Sequence, residues 1–199
     1  KAGLMIGKIV ETEAYDETDA TSHSSHGQTK RNAMMFAQGG VAYVYRSYGI
    51  HWCLNVVVGP TGFGAAVLVR SLEPIVGDKI MAKNRATTSP RCKPRDLCRG
   101  PGRLSQALSI TGAHNGAPMQ GPPLFLASPK NFRRPPNLAT PRIGISKATE
   151  YLGASVSLEI NTYPDPLDST DHDLKSSTLE KAYKCSLQRR CQKLEPPLI

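Results

Sequence analysis

The chain is 199 residues long, the size of one domain, and its 25 Lys and Arg against 16 Asp and Glu leave a net charge of +9 and a pI near 9.5. That excess favours a polyanionic partner, nucleic acid ahead of an acidic membrane surface, and no apolar run approaches the length of a membrane span. Five cysteines, an odd number with no CxxC pair, argue against a disulfide framework and for a reducing compartment.

The chain starts at Lys1, and Leu4-Met5-Ile6 is too short for the apolar centre of a signal peptide. A fragment or trimmed product is therefore expected, with room upstream for an organelle-targeting segment. Lys8 to Tyr15, KIVETEAY, alternates as a strand, with Val10, Thr12 and Ala14 on one face and Ile9, Glu11, Glu13 and Tyr15 on the other. Asp16 to Asn32 follows as a polar loop with His23, His26 and Gly27, closing on Lys30-Arg31. Loops of that length are commonly functional.

Val41 to Asn55, VAYVYRSYGIHWCLN, holds three of the seven tyrosines and the single tryptophan. Alternation places Val41, Tyr43 and Tyr45 on one face of a strand and Trp52, Leu54, Val56 and Val58 on one face of a second, with Arg46-Ser47-Tyr48-Gly49 as the turn. This β-hairpin presents Tyr48 at its tip and a second face carrying Tyr43, Tyr45, His51 and Asn55.

Gly59 to Gly62 reads as a turn and Ala65 to Leu72 as an apolar strand interrupted by Arg70, whose charge requires a partner. Glu73-Pro74 is expected to open a helix running to about Arg85. A basic loop, Thr87 to Arg99, leads through Gly100-Pro101-Gly102 into a helix from Arg103 to Ile110, whose start could hold a phosphate. Gly112 to Pro141 is rich in Pro and Gly, with Pro123 to Leu126 strand-like; Arg142 to Ile145 and Tyr151 to Ile160 are further strand candidates. Beyond Ala148 the pattern decays, and the last forty or so residues read as weakly folded or appended.

Glu13, on a strand face shared with Tyr15, fits a general base beside a stacking surface, and equally a solvated strand face. Glu11 shares that face, which allows a two-carboxylate arrangement without specifying a substrate. His23 and His26 lack the further ligands of a tetrahedral metal set. The zinc-deaminase, G-x-S-x-G and G-x-x-x-x-G-K-[ST] patterns are absent, so deamination, acyl transfer and nucleotide hydrolysis lose ground. Tyr43 reads as cross-strand packing. Tyr45 and Tyr48, at the turn of a basic protein's hairpin, suit stacking on an extruded base and insertion into a base stack.

The ordered blocks GKIVETEAY, SH, QTKRNAMMF, YVYRSYGIHWCLNVV, AAVLVRSLEP, LCRGPGRLSQALSI and PRIGISKA closely resemble the alkyladenine (3-methyladenine, methylpurine) DNA glycosylase family, colinearly from about Gly7 to Ala148. Where that family has Thr-Pro-Arg-Asn, this chain has Thr29-Lys30-Arg31-Asn32. The resemblance implies a mixed α/β (α+β) fold, one compact domain over residues 1–148 with a curved antiparallel sheet, a DNA-inserting hairpin and surrounding helices. Residues 149–199 form a divergent C-terminal segment. It further implies a monofunctional glycosylase of base-excision repair, a monomer acting on double-stranded DNA containing damaged purines, without metal, organic cofactor or membrane.

By the same resemblance Glu13 activates a water for attack on the deoxyribose C1′, and Arg70 and the backbone carbonyl of Ile143 help to hold that water. Tyr15, His23 and Tyr45 wall the flipped-base pocket. Asn55 screens out a guanine exocyclic amino group, Tyr48 plugs the vacated gap, and Lys30, Arg31 and Arg103 position phosphates. The compartment follows the genome: nuclear in a eukaryote, cytoplasmic and nucleoid in a bacterium. The alternative is a catalytically impaired, truncated chain that only binds DNA.

Overall fold

The computed structural model describes residues 3–86, 92–127, 139–141 and 152–154. These form a mixed α/β architecture around a four-stranded antiparallel sheet in the order β1-β4-β3-β2, with β1 at Ile6–Tyr15, β2 at Ala42–Ser47, β3 at His51–Val57 and β4 at Ala66–Val76. Two helices follow the sheet, α1 at Asp78–Ala86 and α2 at Pro101–Ala107. Two short ladders complete the described chain: β5 (Gln120–Gly121) with β6 (Leu124–Phe125), and β7 (Ala139–Pro141) with β8 (Leu152–Ala154). The boundary expected at 148/149 and the strand candidate Arg142 to Ile145 fall outside the described residues, and of Tyr151 to Ile160 only β8 is described.

Both faces of the sheet are covered. Ala42, Val44, Leu54, Val56, Val69 and Leu72 pack with Met81 of α1 and Leu104 and Ala107 of α2. On the opposite face Tyr43, Val57 and Ala66 pack with Met35 and Phe36 of a short 3-10 turn, Ala33–Phe36. Burial on both sides explains why the start of β4 is a continuous apolar run instead of an alternating one. Each large side chain buried here stabilises the fold by about 1.5–3 kcal/mol relative to exposure.

Three expected boundaries are corrected. Glu73-Pro74 does not open a helix: β4 continues to Val76, and α1 begins only after Gly77, whose φ of +81° breaks the strand. Proline is tolerated in the strand because β3 pairs with β4 only over residues 66–68, so that among the described residues no strand lies on that side of Pro74. The helix expected from Arg103 to Ile110 starts earlier, with Pro101 in its first turn, and ends at Ala107. Ser109, at φ +57°, closes it, and the Ile110 amide returns to the Ser105 carbonyl at 2.7 Å.

In the hairpin, Arg46 and Ser47 are still strand, paired with Trp52 and His51. The reversal is Tyr48-Gly49, with φ +51° and +70° and the Ile50 amide bonded to the Ser47 carbonyl at 3.0 Å. Two left-handed residues make the primed turn that matches the twist of a two-stranded ribbon. Glycine takes that conformation freely, but for Tyr48 it costs about 1–2 kcal/mol. Tyr48 is left 93% exposed at the tip. Behind it the Arg46 guanidinium lies 5.2 Å from the Trp52 ring centre, and Trp52 packs against the helix-side core.

The alternation expected along β1 is also interrupted. Register slips by one residue between Ile9 and Glu11 and slips back between Glu11 and Thr12, so Val10 on β1 and Arg70 on β4 are each passed over in the pairing. Such bulges re-aim side chains. Here they bring an arginine and two glutamates together.

Candidate active site

Cross-strand partners share a face of a sheet, and the register aligns four such residues. Glu13 stands opposite Leu68, Leu68 opposite Asn55, and Asn55 opposite Tyr43. A carboxylate on one edge strand and an aromatic on the other are thereby fixed in one row, on the face away from the helices. Tyr15 extends the row's face along β1, and Tyr45, opposite Cys53, extends it along β2 toward the hairpin tip.

Glu13 is 3% exposed, a burial that requires a partner for a charge. It has two: its Oε1 lies 3.3 Å from Arg70 Nη1, and its Oε2 accepts the Tyr15 hydroxyl at 2.8 Å. Arg70 Nε reaches Glu11 Oε1 at 3.2 Å, and Glu11 Oε2 accepts from Ser71 Oγ at 2.8 Å. The strand arginine thus finds its partner, and finds two. A carboxylate so held and aimed along a face lined by aromatics can take a proton from a water positioned there.

The loop between β1 and the 3-10 turn supplies the opposite wall. Its turns are built by Asp16 and Asp19, which accept from the amides and hydroxyls of Thr18 and Thr21. Buried Asn32 ties the far end: its Nδ2 donates to the carbonyls of His23 and Gly27 at 2.7 and 3.0 Å, while its Oδ1 accepts from the Thr29 amide and hydroxyl. His23 is thereby set against the sheet, its ring 4.4 Å from Tyr45 and nearly edge-on, its Nδ1 2.8 Å from the Tyr43 hydroxyl. Tyr43 and Tyr45 lie 5.4 Å apart with a 33° tilt.

Partial burial lowers the His23 imidazole below its ordinary 6.5, and Arg31 nearby adds to the effect. Burial pushes the Tyr43 phenol up to about 12, against a smaller opposing pull from Arg31. The Tyr45 phenol is raised further, by burial first and by its neighbours Cys53, Tyr15 and Tyr43 after it. At neutral pH all three rings are uncharged. A neutral, electron-rich cage attracts a cationic guest, where a protonated imidazole would repel it.

A stability consequence follows from linkage. Because the folded-state value of His23 is depressed, acidification below about 6.5 protonates the unfolded chain first, and stability is lost as pH falls toward the folded value. In urea titrations from pH 7 to pH 5, the stability of His23→Gln relative to wild type is expected to rise, since the variant lacks this acid sensitivity. A constant difference would mean that His23 titrates alike in both states.

The structure brings together Glu13, Tyr15, His23, Tyr45, Asn55 and Arg70. Asn55 is buried, its Nδ2 donating to the Tyr43 and Cys53 carbonyls at 3.1 and 3.4 Å, which locks the amide in the row. Tyr48 stands apart at the ribbon tip. Lys30 and Arg31 are exposed on the loop, and Arg103 lies half exposed on α2 with a long contact of 3.9 Å to Asp96. Ile143 lies outside the described residues. His51, expected on the presented face, pairs with Ser47 beyond the cage, is exposed, and abuts Gly102 of α2.

Sequence reasoning passed over Leu68, the Tyr43 hydroxyl, the Glu11–Ser71 pair and Asn32. Leu68 enters through the β1–β4–β3 register, which no local pattern reveals. Asn32 carried a signal, since Thr29-x-x-Asn32 is a spacing that lets an Asn side chain bond the backbone three residues before it.

A family model described as methylpurine-DNA glycosylase matches residues 1–157. Three similar proteins share the name "Putative 3-methyladenine DNA glycosylase". One, from Rhodopseudomonas palustris (strain BisB18), is 53% identical over 144 residues, 72% of this chain and 69% of the relative. One from Nitrosospira multiformis is 51% identical over 144 residues, 72% of each chain. One from Methanoculleus marisnigri is 49% identical over 147 residues, 72% of this chain and 74% of the relative.

Proposed function

The chain belongs to the methylpurine-DNA glycosylase family, and from that premise we propose that it excises alkylated or deaminated purines of the 3-methyladenine, 7-methylguanine and hypoxanthine class from duplex DNA. The observation that carries the reading is the buried Glu13 carboxylate, held by Arg70 and Tyr15 on the face that also bears the His23, Tyr43 and Tyr45 rings.

In this mechanism Tyr48 enters the base stack and fills the gap left by the extruded nucleotide. The base stacks among Tyr15, His23 and Tyr45, and Asn55 refuses a guanine bearing its exocyclic amino group. N3 or N7 alkylation makes the purine cationic, so the cage binds it better than a neutral base and the glycosidic bond is already weakened. Glu13 accepts a proton from a water held with the help of Arg70 and the Ile143 carbonyl. The water oxygen bonds to C1′ as the C1′–N bond breaks, its electron pair leaving with the base, which neutralises an alkylated purine cation and makes of hypoxanthine an anion that takes its proton from solvent water.

The chemistry needs neither metal nor organic cofactor. Lys30, Arg31 and Arg103 contact phosphates without reading sequence. One chain, through residues 1–148, carries the activity as a monomer. The bacterial and archaeal sources of the relatives favour the cytoplasmic, nucleoid compartment over a nuclear one.

The purified chain is expected to convert duplexes bearing a single hypoxanthine or 3-methyladenine into alkali-labile abasic sites, and to leave an undamaged duplex intact. Salt-sensitive binding of the same duplexes without strand breakage after alkali would replace this reading with the DNA-binding alternative.

A further inference from the structure

We propose that Glu11 is a positioning residue for excision: it holds one side of the Arg70 guanidinium and so limits how strongly that charge closes on Glu13. The inference rests on Glu13 acting as the base.

The guanidinium lies between two carboxylates and is bound through different nitrogens. Nε goes to Glu11 at 3.2 Å and Nη1 to Glu13 at 3.3 Å. The two glutamates differ in setting, Glu13 almost wholly buried and Glu11 about one third exposed. Glu11 is itself anchored on its second oxygen by Ser71 Oγ, which also accepts the Gly100 amide at 3.3 Å at the entry to α2. A continuous path thus runs from the α2 turn through Ser71, Glu11 and Arg70 to Glu13. Two of the three register slips of the β1–β4 ladder flank it, one at Val10 and one at Arg70. A regular ladder would have spared two bulges, yet the two bulges are what set the guanidinium between the carboxylates.

The division has a chemical use. A guanidinium is a fork suited to bidentate pairing with one carboxylate. Closed on Glu13 alone, it would hold that carboxylate ionised but draw off the electron density needed to accept a water proton. Shared with Glu11, and with a second negative charge beside it, Arg70 orients Glu13 while leaving it basic. Glu11 touches neither base nor sugar in this role.

Glu11→Gln keeps the volume and one oxygen to accept from Arg70 Nε, its Nε2 turned to donate to Ser71 Oγ, but removes the charge. Single-turnover excision of hypoxanthine is expected to slow about 3- to 10-fold at pH 7. The acid limb of its pH profile is expected to move down by about one unit, with affinity for the lesion duplex unchanged within about twofold. Glu11→Asp is expected to return the limb to its wild-type position. An acid limb that stays in place in Glu11→Gln, or a loss of rate matched by equal losses of binding and melting temperature, overturns the positioning role. Excision that survives Glu13→Gln overturns the base assignment on which the role depends; an inactive Glu13→Gln beside an unmoved Glu11→Gln limb overturns the role of Glu11 alone.

Discussion

Glu13→Gln is expected to reduce single-turnover excision by about 10²–10⁴-fold, the range of a lost general base, while lesion-duplex affinity stays within about twofold. The geometry argues that the variant folds. Removing one member of a buried ion pair is costly when the other charge is abandoned, but here Arg70 keeps its contact with Glu11 at 3.2 Å. A glutamine also preserves an oxygen to accept the Tyr15 hydroxyl, which the wild-type Oε2 accepts at 2.8 Å. The measurement is the rate of abasic-site formation with enzyme in excess, set beside binding isotherms on the same duplex. Equal loss of rate and binding would assign Glu13 to the scaffold and remove it from the chemistry.

Asn32→Ala is expected to lower stability by about 1–3 kcal/mol, the cost of leaving buried polar groups without partners, and to weaken lesion binding as well. One side chain holds the His23 and Gly27 carbonyls and the Thr29 amide. Gly27 and Thr29 are exposed and can turn to water, which keeps the stability cost in the lower part of what four lost bonds would imply. The binding loss does not share that relief, because without the clamp His23 is no longer set against Tyr45 and Tyr43. Urea denaturation gives the first quantity and competition between lesion and undamaged duplexes the second. A variant less stable but equally discriminating would show that the loop finds its position without Asn32.

Much of this site can be read from the residues because its members are marked locally. Glu13 and Tyr15 are two apart on a strand, and the hairpin aromatics sit in a short stretch with a glycine at its turn. Period-two alternation identified both, and three of the four main strands with them, the fourth showing as a continuous apolar run. The errors fall where tertiary pairing overrides local preference. Glu73-Pro74 resembles a helix start, but β1 pairs with Glu73, Pro74 and Val76 and draws the segment into the sheet. The bulges at Val10 and Arg70 leave no trace in the pattern, since a bulge is defined by its partner strand. For the same reason Glu11 looked like a bystander and Leu68 like ordinary core. The roles proposed for Arg70 and Asn55, and the choice of the deoxyribose C1′ as the target of Glu13's water, rest on family resemblance, since composition and spacing alone reach no further than a basic protein able to handle an extruded base.

The row Glu13, Leu68, Asn55, Tyr43 joins positions separated by up to 55 residues of chain, through the β1–β4 and β3–β4 ladders. Contacts so distant in sequence must wait for loop closure and form late, after the local β2–β3 ribbon. During synthesis the β2–β3 ribbon with Tyr48 at its tip can therefore form before Glu13 is set into the row. A nascent or partly unfolded chain would disturb a duplex at most weakly and cut nothing. On the proposed assignment of Glu13 as base, excision requires both ladders to be closed, so a chain with only the β2–β3 ribbon formed carries no complete site.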